Sequence, residues 1–467
     1  MLTARNLGEH RRPQPLGERR RRRLRFRAHA IEKLMAVCLA PAGGCPALGW
    51  GGDLPNPREW PIVLQPFKAW STLMSSFALS YAPSETVGLI PERLERLTAV
   101  MARQVEEKKA PGVSMLIARH GKIAYRETVG ALRPGGPPMT DDAIFRIYSM
   151  TKPIVSVAAM MLVEEGRLLI TDPVSNTLPA FANLKVGVEI GGRLDLAPLK
   201  RPITIQDLMR HTSGLTYGFT GAATVQKLTK AADVVSPNRT LAENVDAIAT
   251  LPLMHQPGEV WEYSVSTDVL ARIVELIEGA RLGEVLQQRL FGPLGMTDTA
   301  FFTPEQKLGR RADPFSFDFM VAAGVDSCNA TAPPKFEAGG GGLMSTLADY
   351  TRFVAMLSGG GALDGVRVLG PHTLAFMASD HLDATTDKCH YLLWPGHGFG
   401  LGFAMRTDAG KAPTAGSAGE FFWGGMMGTT FWVSPHDSLF AILMVQTPEY
   451  REYFRVLFRN LVNAAIA

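Results

Sequence analysis

The stretch RIYSMTKPIVS, Arg146 to Ser156, places a serine three residues before a lysine and a proline directly after that lysine. Proline is tolerated in a helix only in its first turn, so Pro153 predicts a helix that begins just before it. Ser149 then lies at the helix N-terminus, where the partial positive charge of the helix stabilises a developing alkoxide. Residues three apart share a helix face, so the spacing puts Lys152 within hydrogen-bond reach of Ser149.

A serine hydroxyl is a weak nucleophile until a base removes its proton, and a lysine in water is already protonated at neutral pH. The apolar run PIVSVAAMMLVEEG predicts a buried helix that ends at Gly166, and burial disfavours the charged form of Lys152. A structural alternative fits the same residues: Ser149 caps the helix and Lys152 extends its amine to solvent. The sequence has no GxSxG, HExxH or P-loop motif and no histidines at metal spacing, so a serine hydrolase here must use the lysine.

Composition describes an ordinary globular protein with an unusual N-terminal segment. Of the 467 residues, 20% are charged and 46% hydrophobic. Residues 1–33 carry eleven Lys or Arg and three Asp or Glu, so subtracting their +8 from the total of +4 leaves −4 for the remainder. We therefore expect no nucleic-acid binding by the folded body, and interpret the arginine run Arg19–Arg27 as a solvated tail.

Four scattered cysteines form no CxxC pair, which favours a reducing compartment, and we expect a cytoplasmic protein without a metal or another cofactor. No apolar run approaches the roughly 18 residues that a membrane span needs. The arginine-rich start leaves a targeting segment possible, or a leader that the mature protein lacks, since Met74 opens a more ordinary N-terminus.

The chain divides by composition into an extension and one folded unit. The extension is rich in Arg, Pro and Gly and has no sustained period, so we expect it to be poorly ordered. The folded unit combines an α/β part in two segments with a mostly helical part between them. The predicted boundaries are residues 1–84 for the extension, 85–467 for the folded unit, 85–170 and 320–467 for its α/β part, and 171–319 for its helical part.

Periodicity also predicts individual elements of the α/β part. LIPERLERLTAVMARQVEEKKAPG is amphipathic and predicts a helix that ends at Pro111-Gly112. VSMLIARHGKIAYRETVG predicts a hairpin with a tight turn at His120-Gly121. Three late segments regain β character: FGLGFAMRT, FFWGGMMGTTFWVSP and SLFAILMVQ. The chain ends in a predicted helix, EYREYFRVLFRNLVNAAIA.

Five stretches of the sequence match motifs of a known superfamily and occur in the same order along the chain. They are FRIYSMTKP (145–153), LMRHTSGL (208–215), QPGEVWEYSVS (256–266), EAGGGGLMSTLADYTRF (337–353) and FFWGGMMGT (421–429). Together they resemble the serine β-lactamase and penicillin-binding-protein superfamily, in particular the class C-like esterases called family VIII carboxylesterases. The resemblance covers about Pro91 to Val445. It implies an α/β fold of the serine β-lactamase type, with an antiparallel sheet flanked by helices and an all-helical insertion domain.

Residue by residue, the resemblance implies that Ser149 is acylated, Lys152 activates it, and Tyr263 shares one proton with Lys152 as a coupled pair. We leave the choice of base between these two residues open. The backbone N–H groups of Ser149 and Met426 are then the expected oxyanion hole.

Two departures from the resemblance bear on the substrate. The third lactamase motif is usually Lys-Thr-Gly, whose cation and hydroxyl hold a carboxylate, whereas Trp-Gly-Gly stands here. The tyrosine motif usually ends in Asn, whereas Tyr-Ser-Val stands here. Both changes favour an apolar acyl ester over a charged β-lactam. The expected substrate-binding residues are Trp423, Gly424, Gly425, Tyr148 and Val265, although core packing is an alternative role for Trp423 and Tyr148.

Two further features receive structural predictions. His211 is expected to be a hydrogen-bonding residue near the pocket rather than a proton carrier. The run Gly339–Gly342 lacks the context of a phosphate-binding loop and is expected to be a tight backbone crossing beside the site.

The leading hypothesis is a cofactor-free serine carboxylesterase acting on small-molecule esters of short or medium acyl chains. An acyltransferase, or an amide, peptide or β-lactam hydrolase, uses the same acyl-enzyme and remains an alternative. A catalytically silent binding homologue is the non-enzyme alternative. The oligomeric state stays open.

Overall fold

The computed structural model describes residues 79–318, 329–382, 386–388 and 392–467. Most of the extension predicted for residues 1–84 lies outside these ranges, as do all four cysteines. No helix of the described residues is both long enough and apolar enough to cross a membrane.

Sixteen strands form in the described part of the chain, and eight of them build the main sheet in the order β1-β3-β2-β16-β15-β14-β13-β12. The strands are β1 (Ser80–Tyr81), β2 (Gly112–Arg119), β3 (Lys122–Gly130), β4 (Ile144–Arg146), β5 (Lys185–Ile190), β6 (Arg193–Pro198), β7 (Val260–Trp261), β8 (Met344–Thr346), β9 (Ala362–Leu363), β10 (Val366–Arg367), β11 (Asp387–Lys388), β12 (His397–Phe399), β13 (Ala404–Arg406), β14 (Phe421–Gly424), β15 (Gly428–Ser434) and β16 (Leu439–Gln446).

The predicted α/β class is confirmed, with one difference in the sheet. Neighbouring strands of the main sheet run antiparallel except β1, which pairs in parallel with β3. The sheet is therefore mixed rather than antiparallel throughout. The helix Pro91–Glu106 separates β1 from the β2–β3 hairpin, and this long connection lets β1 reach the sheet edge in the same direction as β3.

The predicted hairpin is confirmed, and so is the β character predicted after residue 396, which the structure divides into the five strands β12 to β16. His120 and Gly121 adopt φ values of 51° and 74°, so the two-residue turn has the left-handed conformation that matches the twist of paired strands. Strands β2 and β16 are buried along almost their whole length because helices cover both faces of the sheet.

One face of the sheet is covered by two helices from opposite ends of the described chain. The first, Pro91–Glu106, ends earlier than predicted, and Lys108 just beyond it has a φ of 58°. The second is the C-terminal helix, Arg451–Ala464. Both pack their apolar stripes around Trp432, with Leu97, Met101, Phe454 and Phe458 fully buried there.

The other face is covered by the central helix, Thr151–Glu164, and by the helix Leu347–Ser358. The central helix is buried on most of its sides, as its apolar sequence predicts. A single 3₁₀ turn, Tyr148–Met150, leads into it, so Ser149 lies immediately before the α-helix and Pro153 lies in its first turn. The helix Pro371–Met377 and the short strand pairs β4–β8, β9–β10 and β7–β11 complete this side.

The elements of residues 171–318 are mostly helices, but this region also contains the β5–β6 hairpin and the short strand β7, so the prediction of an all-helical insertion is wrong in this respect. Strands β5 and β6 pair antiparallel around Gly191-Gly192, whose φ values are 59° and 81°. Alternating side chains flanking a Gly-Gly pair are a local hairpin signal that the helical patterns nearby obscured. The helices are Ile205–Met209, Thr224–Ala231, Leu241–Ile248, Ser266–Glu278, Leu282–Leu286 and Gly292–Leu294, the last two joined by the π-helical turn Gln287–Phe291.

Candidate active site

The nucleophile candidate lies where the short strand β4 turns into the central helix. Tyr148, directly before Ser149, has a φ of 42°, a left-handed conformation that is strained for a residue with a side chain. The turn places Ser149 at the wall of a cavity. Lys152, on the same helix face, is only 1% exposed. Lys152 Nζ lies 3.4 Å from Ser149 Oγ, as the three-residue spacing predicts.

Tyr263 comes to the same point from a segment far along the sequence. Its hydroxyl lies 2.7 Å from Ser149 Oγ, a distance typical of a strong O–H···O hydrogen bond. The tyrosine ring contacts the rings of His211 and Trp423, with centroid distances of 4.8 and 5.5 Å. These contacts fix the direction of the hydroxyl. The structure therefore brings together the three residues predicted to be catalytic.

Lys152 is held by three oxygen atoms. Its Nζ donates to the Gly340 carbonyl at 2.6 Å and to Tyr217 Oη at 3.2 Å, in addition to Ser149 Oγ. A lysine ammonium has three N–H donors, so three acceptors satisfy it completely. Nζ also lies 4.5 Å from the centre of the Tyr263 ring, where the ring face attracts a cation. The side chain is thus directed into the site and not toward solvent, which removes the alternative of a lysine that reaches out of a capped helix.

The glycine run beside the site confirms the predicted tight crossing. Gly340 supplies the carbonyl that accepts from Lys152. A Cβ atom on Gly340 would approach Asp268 Oδ2 to 2.7 Å and Tyr217 Oη to 2.8 Å, so only glycine fits without displacing these groups. Close approach of backbone to side chains is the general reason for glycine at such a crossing.

Two buried residues near Lys152 were not predicted from the sequence. Tyr217 lies two residues after the LMRHTSGL stretch, and this proximity is the signal that could have singled it out. Asp268 lies in the first turn of the helix Ser266–Glu278 and accepts a hydrogen bond from the Gly340 N–H at 2.9 Å. Burial raises the pKa of Asp268, while the positive charge of Lys152 acts to lower it. Acidic residues are common in the first turns of helices, so nothing in the sequence distinguishes Asp268 from the others.

His211 lies behind Tyr263 and matches its predicted structural role. It is 1% exposed, and its Nδ1 lies 3.3 Å from Ser264 Oγ. Burial lowers the pKa of His211 well below its usual value, and the charge of Lys152 lowers it further. A neutral imidazole packed against the Tyr263 ring positions that ring and carries no charge at neutral pH.

The Trp-Gly-Gly stretch forms the end of β14 and the turn that follows it. Trp423 packs edge-on against Phe399 with a centroid distance of 5.2 Å, and it is 6% exposed. Gly425 donates its N–H to the Thr429 carbonyl at 2.8 Å and thereby closes the turn that contains Met426. A Cβ on Gly425 would come within 2.3 Å of the Ile147 carbonyl oxygen, so glycine lets this turn pass the chain just before the nucleophile.

A cavity of about 710 Å³ connects these elements. This volume is within the range of small-molecule sites, roughly 300–1,000 Å³. Its walls include the predicted residues Ser149, Tyr263, Trp423, Gly424, Gly425 and Met426. The predicted nucleophile, its tyrosine and the residue proposed for the second oxyanion donor therefore face one space.

The remaining two residues predicted to bind substrate lie away from the cavity wall. Tyr148 is buried in a small apolar cluster with Ile144, Met344 and Met427. Val265 is 1% exposed and belongs to the main hydrophobic core. Their side chains support the site from behind in this structure. Among the described residues, no group of three His, Cys, Asp or Glu side chains could hold a metal ion.

Comparison with known proteins gives consistent matches over most of the described chain. The profile of the Beta-lactamase family matches residues 97–466. An uncharacterized protein of Mycobacterium tuberculosis is 38% identical over 335 residues, covering 70% of this chain and 81% of the relative. Esterase EstB of Burkholderia gladioli is 31% identical over 377 residues, covering 75% of this chain and 90% of the esterase.

Among solved structures, EstCE1, described as a hydrolase with promiscuous acyltransferase activity, is similar to this chain with a TM-score of 0.64 and 25% identity. The match covers 79% of this chain and 98% of EstCE1. The similarity therefore extends over nearly the whole of the EstCE1 chain.

Proposed function

The chain belongs to the Beta-lactamase family, and on that premise we propose that it is a serine carboxylesterase that works through a covalent acyl-serine intermediate. The observation that carries the proposal is the contact of Tyr263 Oη with Ser149 Oγ at 2.7 Å, made at the wall of a cavity and beside the buried Lys152. A nucleophile within hydrogen-bond distance of its base, and a base held by a third group, is the geometry that activated serines share.

The proposed reaction begins when Ser149 Oγ attacks the carbonyl carbon of the ester. The hydroxyl proton passes to the Lys152–Tyr263 pair, which shares one proton, and the carbonyl oxygen becomes an anion. The backbone N–H groups of Ser149 and Met426 are the proposed donors to that anion. The C–O bond to the alcohol then breaks, and the alcohol leaves with the proton from the pair. Water attacks the acyl-serine in the same way and releases the acid.

The composition of the near wall supports esters of short or medium acyl chains. Trp423 and Tyr263 offer apolar surface beside Ser149, and the third motif supplies no lysine there. Relatives point in the same direction, since one that covers three quarters of this chain is named an esterase.

The test uses Ser149→Ala with Ser156→Ala as its matched control, because Ser156 is a buried serine of the same helix. A panel of p-nitrophenyl esters and a chromogenic cephalosporin are assayed with the wild type and both variants. We expect the wild type and Ser156→Ala to hydrolyse the esters and Ser149→Ala to lose that activity. A serine-reactive phosphonate should add its mass to Ser149. Full ester turnover by Ser149→Ala rejects the mechanism, and absence of both turnover and adduct in the wild type favours a silent homologue.

Acyl transfer to a small-molecule alcohol or amine is the second candidate. It is supported by the similarity to EstCE1, whose description includes acyltransferase activity, and by a cavity large enough for an acceptor beside the acyl group. Both reactions share the acyl-enzyme and differ only in what attacks it. Product analysis with butyrate esters in the presence of an added alcohol separates them: new ester indicates transfer, and butyrate alone indicates hydrolysis.

A further inference from the structure

The cavity that contains Ser149 has a second wall with a different character. Five cationic side chains and one carboxylate line it in the described part of the chain: Lys227, Lys230, Arg451, Arg455, Arg459 and Glu452. Residues 34–467 together carry a net charge of −4, so this wall is a local concentration of positive charge on an otherwise acidic body. Two of its arginines, Arg455 and Arg459, have side chains only 20% and 10% exposed. A merely solvated charged face does not bury its guanidinium groups.

Three of these cations come from one stripe of the C-terminal helix, which we call the arginine face: Arg451, Arg455 and Arg459. Their spacing of four residues puts them on the same side of the helix. Arg459 lies over the rings of Phe422 and Trp432, at 4.8 and 4.7 Å from their centres.

The second residue of Trp-Gly-Gly makes room for this face. A Cβ on Gly424 would come within 2.6 Å of Arg455 Nη2. The glycine therefore allows a guanidinium group to lie directly against the end of β14, on the strand that also carries Trp423 at the cavity wall.

The two carboxylates that pair with the arginine face are each shared by two guanidinium groups. Glu452 is paired with both Arg451 and Arg455, at 3.4 and 2.7 Å. Burial lowers the pKa of Arg455, while Glu452 acts to raise it and the charge of Arg451 acts to lower it.

Glu420 is likewise shared by two guanidinium groups, since it pairs with Arg459 at 2.5 Å and with Arg406 at 3.2 Å. Burial lowers the pKa of Arg459 to about 10, which still leaves that residue charged at neutral pH. Glu420 thus divides its charge between Arg459, which lines the cavity, and Arg406, which does not.

Arg455 and Trp423 both line the cavity, but the Nε–H of Arg455 and the indole N–H of Trp423 lie behind its surface and make no hydrogen bond to any described residue. Buried donors without partners are costly, so a shift of either side chain toward an acceptor in the cavity would be favourable. A carboxylate supplies two acceptor oxygens to a guanidinium group in the geometry that arginine favours.

We propose that the arginine face binds a carboxylate carried by the substrate at a distance from the scissile ester. This inference rests on the proposed esterase function and narrows it: the substrates are esters with a free carboxylate, such as monoesters of dicarboxylic acids. It also changes the expectation, drawn from the Trp-Gly-Gly stretch, that the site favours an apolar ester over a charged substrate. The third motif supplies no cation, but the C-terminal helix brings cations to the same cavity from the other side of β14.

The test compares matched esters that differ only in charge. One series consists of mono-p-nitrophenyl esters of the C4 to C8 dicarboxylic acids, each with its methyl-capped neutral counterpart; a second pair, 4-acetoxybenzoate and its methyl ester, places the carboxylate on the alcohol side. The measured quantity is the ratio of kcat/KM for the charged ester to that for its neutral counterpart. We expect a preference of about tenfold to a hundredfold for at least one charged ester, the range that one or two charge-assisted hydrogen bonds supply.

Variants then assign the preference to the arginine face. Arg451→Gln and Arg455→Gln should bring the ratio to within about threefold of one, and Arg193→Gln, an exposed arginine on β6, should leave it unchanged. Using a ratio cancels any general damage, which matters because Arg455 Nη2 also donates to the Gly425 carbonyl behind the Met426 turn. Free glutarate should inhibit the wild type competitively, a readout that does not require any variant to fold.

The results separate this inference from the proposed function. A wild type that hydrolyses neutral esters, shows no preference for any charged ester and is not inhibited by dicarboxylates overturns the carboxylate subsite and leaves the esterase intact. A preference that persists in both arginine variants also overturns it. Failure to hydrolyse any ester, together with no phosphonate adduct on Ser149, overturns the esterase itself.

Discussion

Replacing Tyr263 by phenylalanine probes the centre of the proposed chemistry with little structural damage. The tyrosine hydroxyl lies 2.7 Å from Ser149 Oγ, while the ring packs against His211, Tyr217 and Trp423. Tyr263→Phe removes one oxygen atom and retains every ring contact. The variant therefore separates the role of the hydroxyl from the role of the aromatic core around it.

The contacts of Tyr263 predict a small effect of Tyr263→Phe on the free energy of unfolding and a large effect on turnover. One lost hydrogen bond changes the free energy of unfolding by about 1 kcal/mol. Loss of a group that moves a proton in the transition state lowers turnover about a hundredfold to ten-thousandfold. We therefore expect Tyr263→Phe to lower kcat/KM by that factor while the unfolding free energy changes by only about 1 kcal/mol.

Tyr217→Phe is the matched control, because Tyr217 is equally buried and also contacts Lys152. Its hydroxyl lies 3.2 Å from Lys152 Nζ, but no hydrogen bond joins it to Ser149 among those described. Removing one hydrogen bond to the charged Lys152 costs about 1.5–3 kcal/mol, so we expect kcat/KM to fall by about tenfold to a hundredfold, and by less than in Tyr263→Phe.

The assay combines hydrolysis of p-nitrophenyl butyrate with urea denaturation followed by circular dichroism. The rate of phosphonate addition to Ser149 reports the first step alone. The proposed role of the Tyr263 hydroxyl is wrong if Tyr263→Phe retains kcat/KM within tenfold of the wild type, or if Tyr217→Phe loses as much activity as Tyr263→Phe.

Three further predictions concern the frame of the cavity. Burial lowers the pKa of His397 from 6.5 to about 4; the unfolded chain therefore takes up this proton first as pH falls, and the folded state loses about 3 kcal/mol of stability between pH 6.5 and 4 through this residue. Urea denaturation should show that the free energy of unfolding falls less steeply with decreasing pH in His397→Gln than in the wild type. Equal slopes would contradict the lowered pKa of His397. Gly425→Ala should cost several kcal/mol, because its Cβ meets backbone, whereas Gly424→Ala should cost under about 1 kcal/mol, because its Cβ meets the end of a movable arginine; thermal melts of both variants decide, and equal costs would argue against these contacts. Arg406→Met leaves the buried carboxylate of Glu420 with one partner fewer and should destabilise the fold by about 3–5 kcal/mol in chemical denaturation; a loss below 1 kcal/mol would show that the pair is not tightly coupled.

The fold class and the contacts between the residues predicted to be catalytic could be predicted from the sequence where the interaction that decides them is local. Ser149 and Lys152 are three residues apart, and Pro153 places the helix start beside them. These two local features determine that the side chains meet, because helix geometry depends on neighbours along the chain. The hairpin turn at His120-Gly121 follows from the same kind of short-range constraint. Tyr263 was reached differently, through motif order and a resemblance, since nothing local links it to Ser149.

The errors in the prediction also have local causes. The hairpin around Gly191-Gly192 was missed although its turn signal is in the sequence, because helical patterns dominate that region. Val265 and Tyr148 were assigned to substrate binding from their place in motifs, yet their side chains pack into apolar clusters. Adjacency in sequence does not determine which side of the chain a side chain faces in a turn.

The sequence by itself determined the helix start at which the predicted nucleophile Ser149 lies, and the places of the first hairpin and the late strands along the chain, because these depend on spacing, proline geometry and apolar periodicity. Only the tertiary structure decided how the site is completed. The Gly340 carbonyl meets Lys152 across 188 residues, and the C-terminal helix brings the arginine face to the cavity of Ser149. Such contacts arise when helices and strands pack against one sheet. In the sequence Arg451, Arg455 and Arg459 resemble any solvated helix stripe, whereas in the fold the lack of a side chain at Gly424 leaves room for the guanidinium group of Arg455 beside β14.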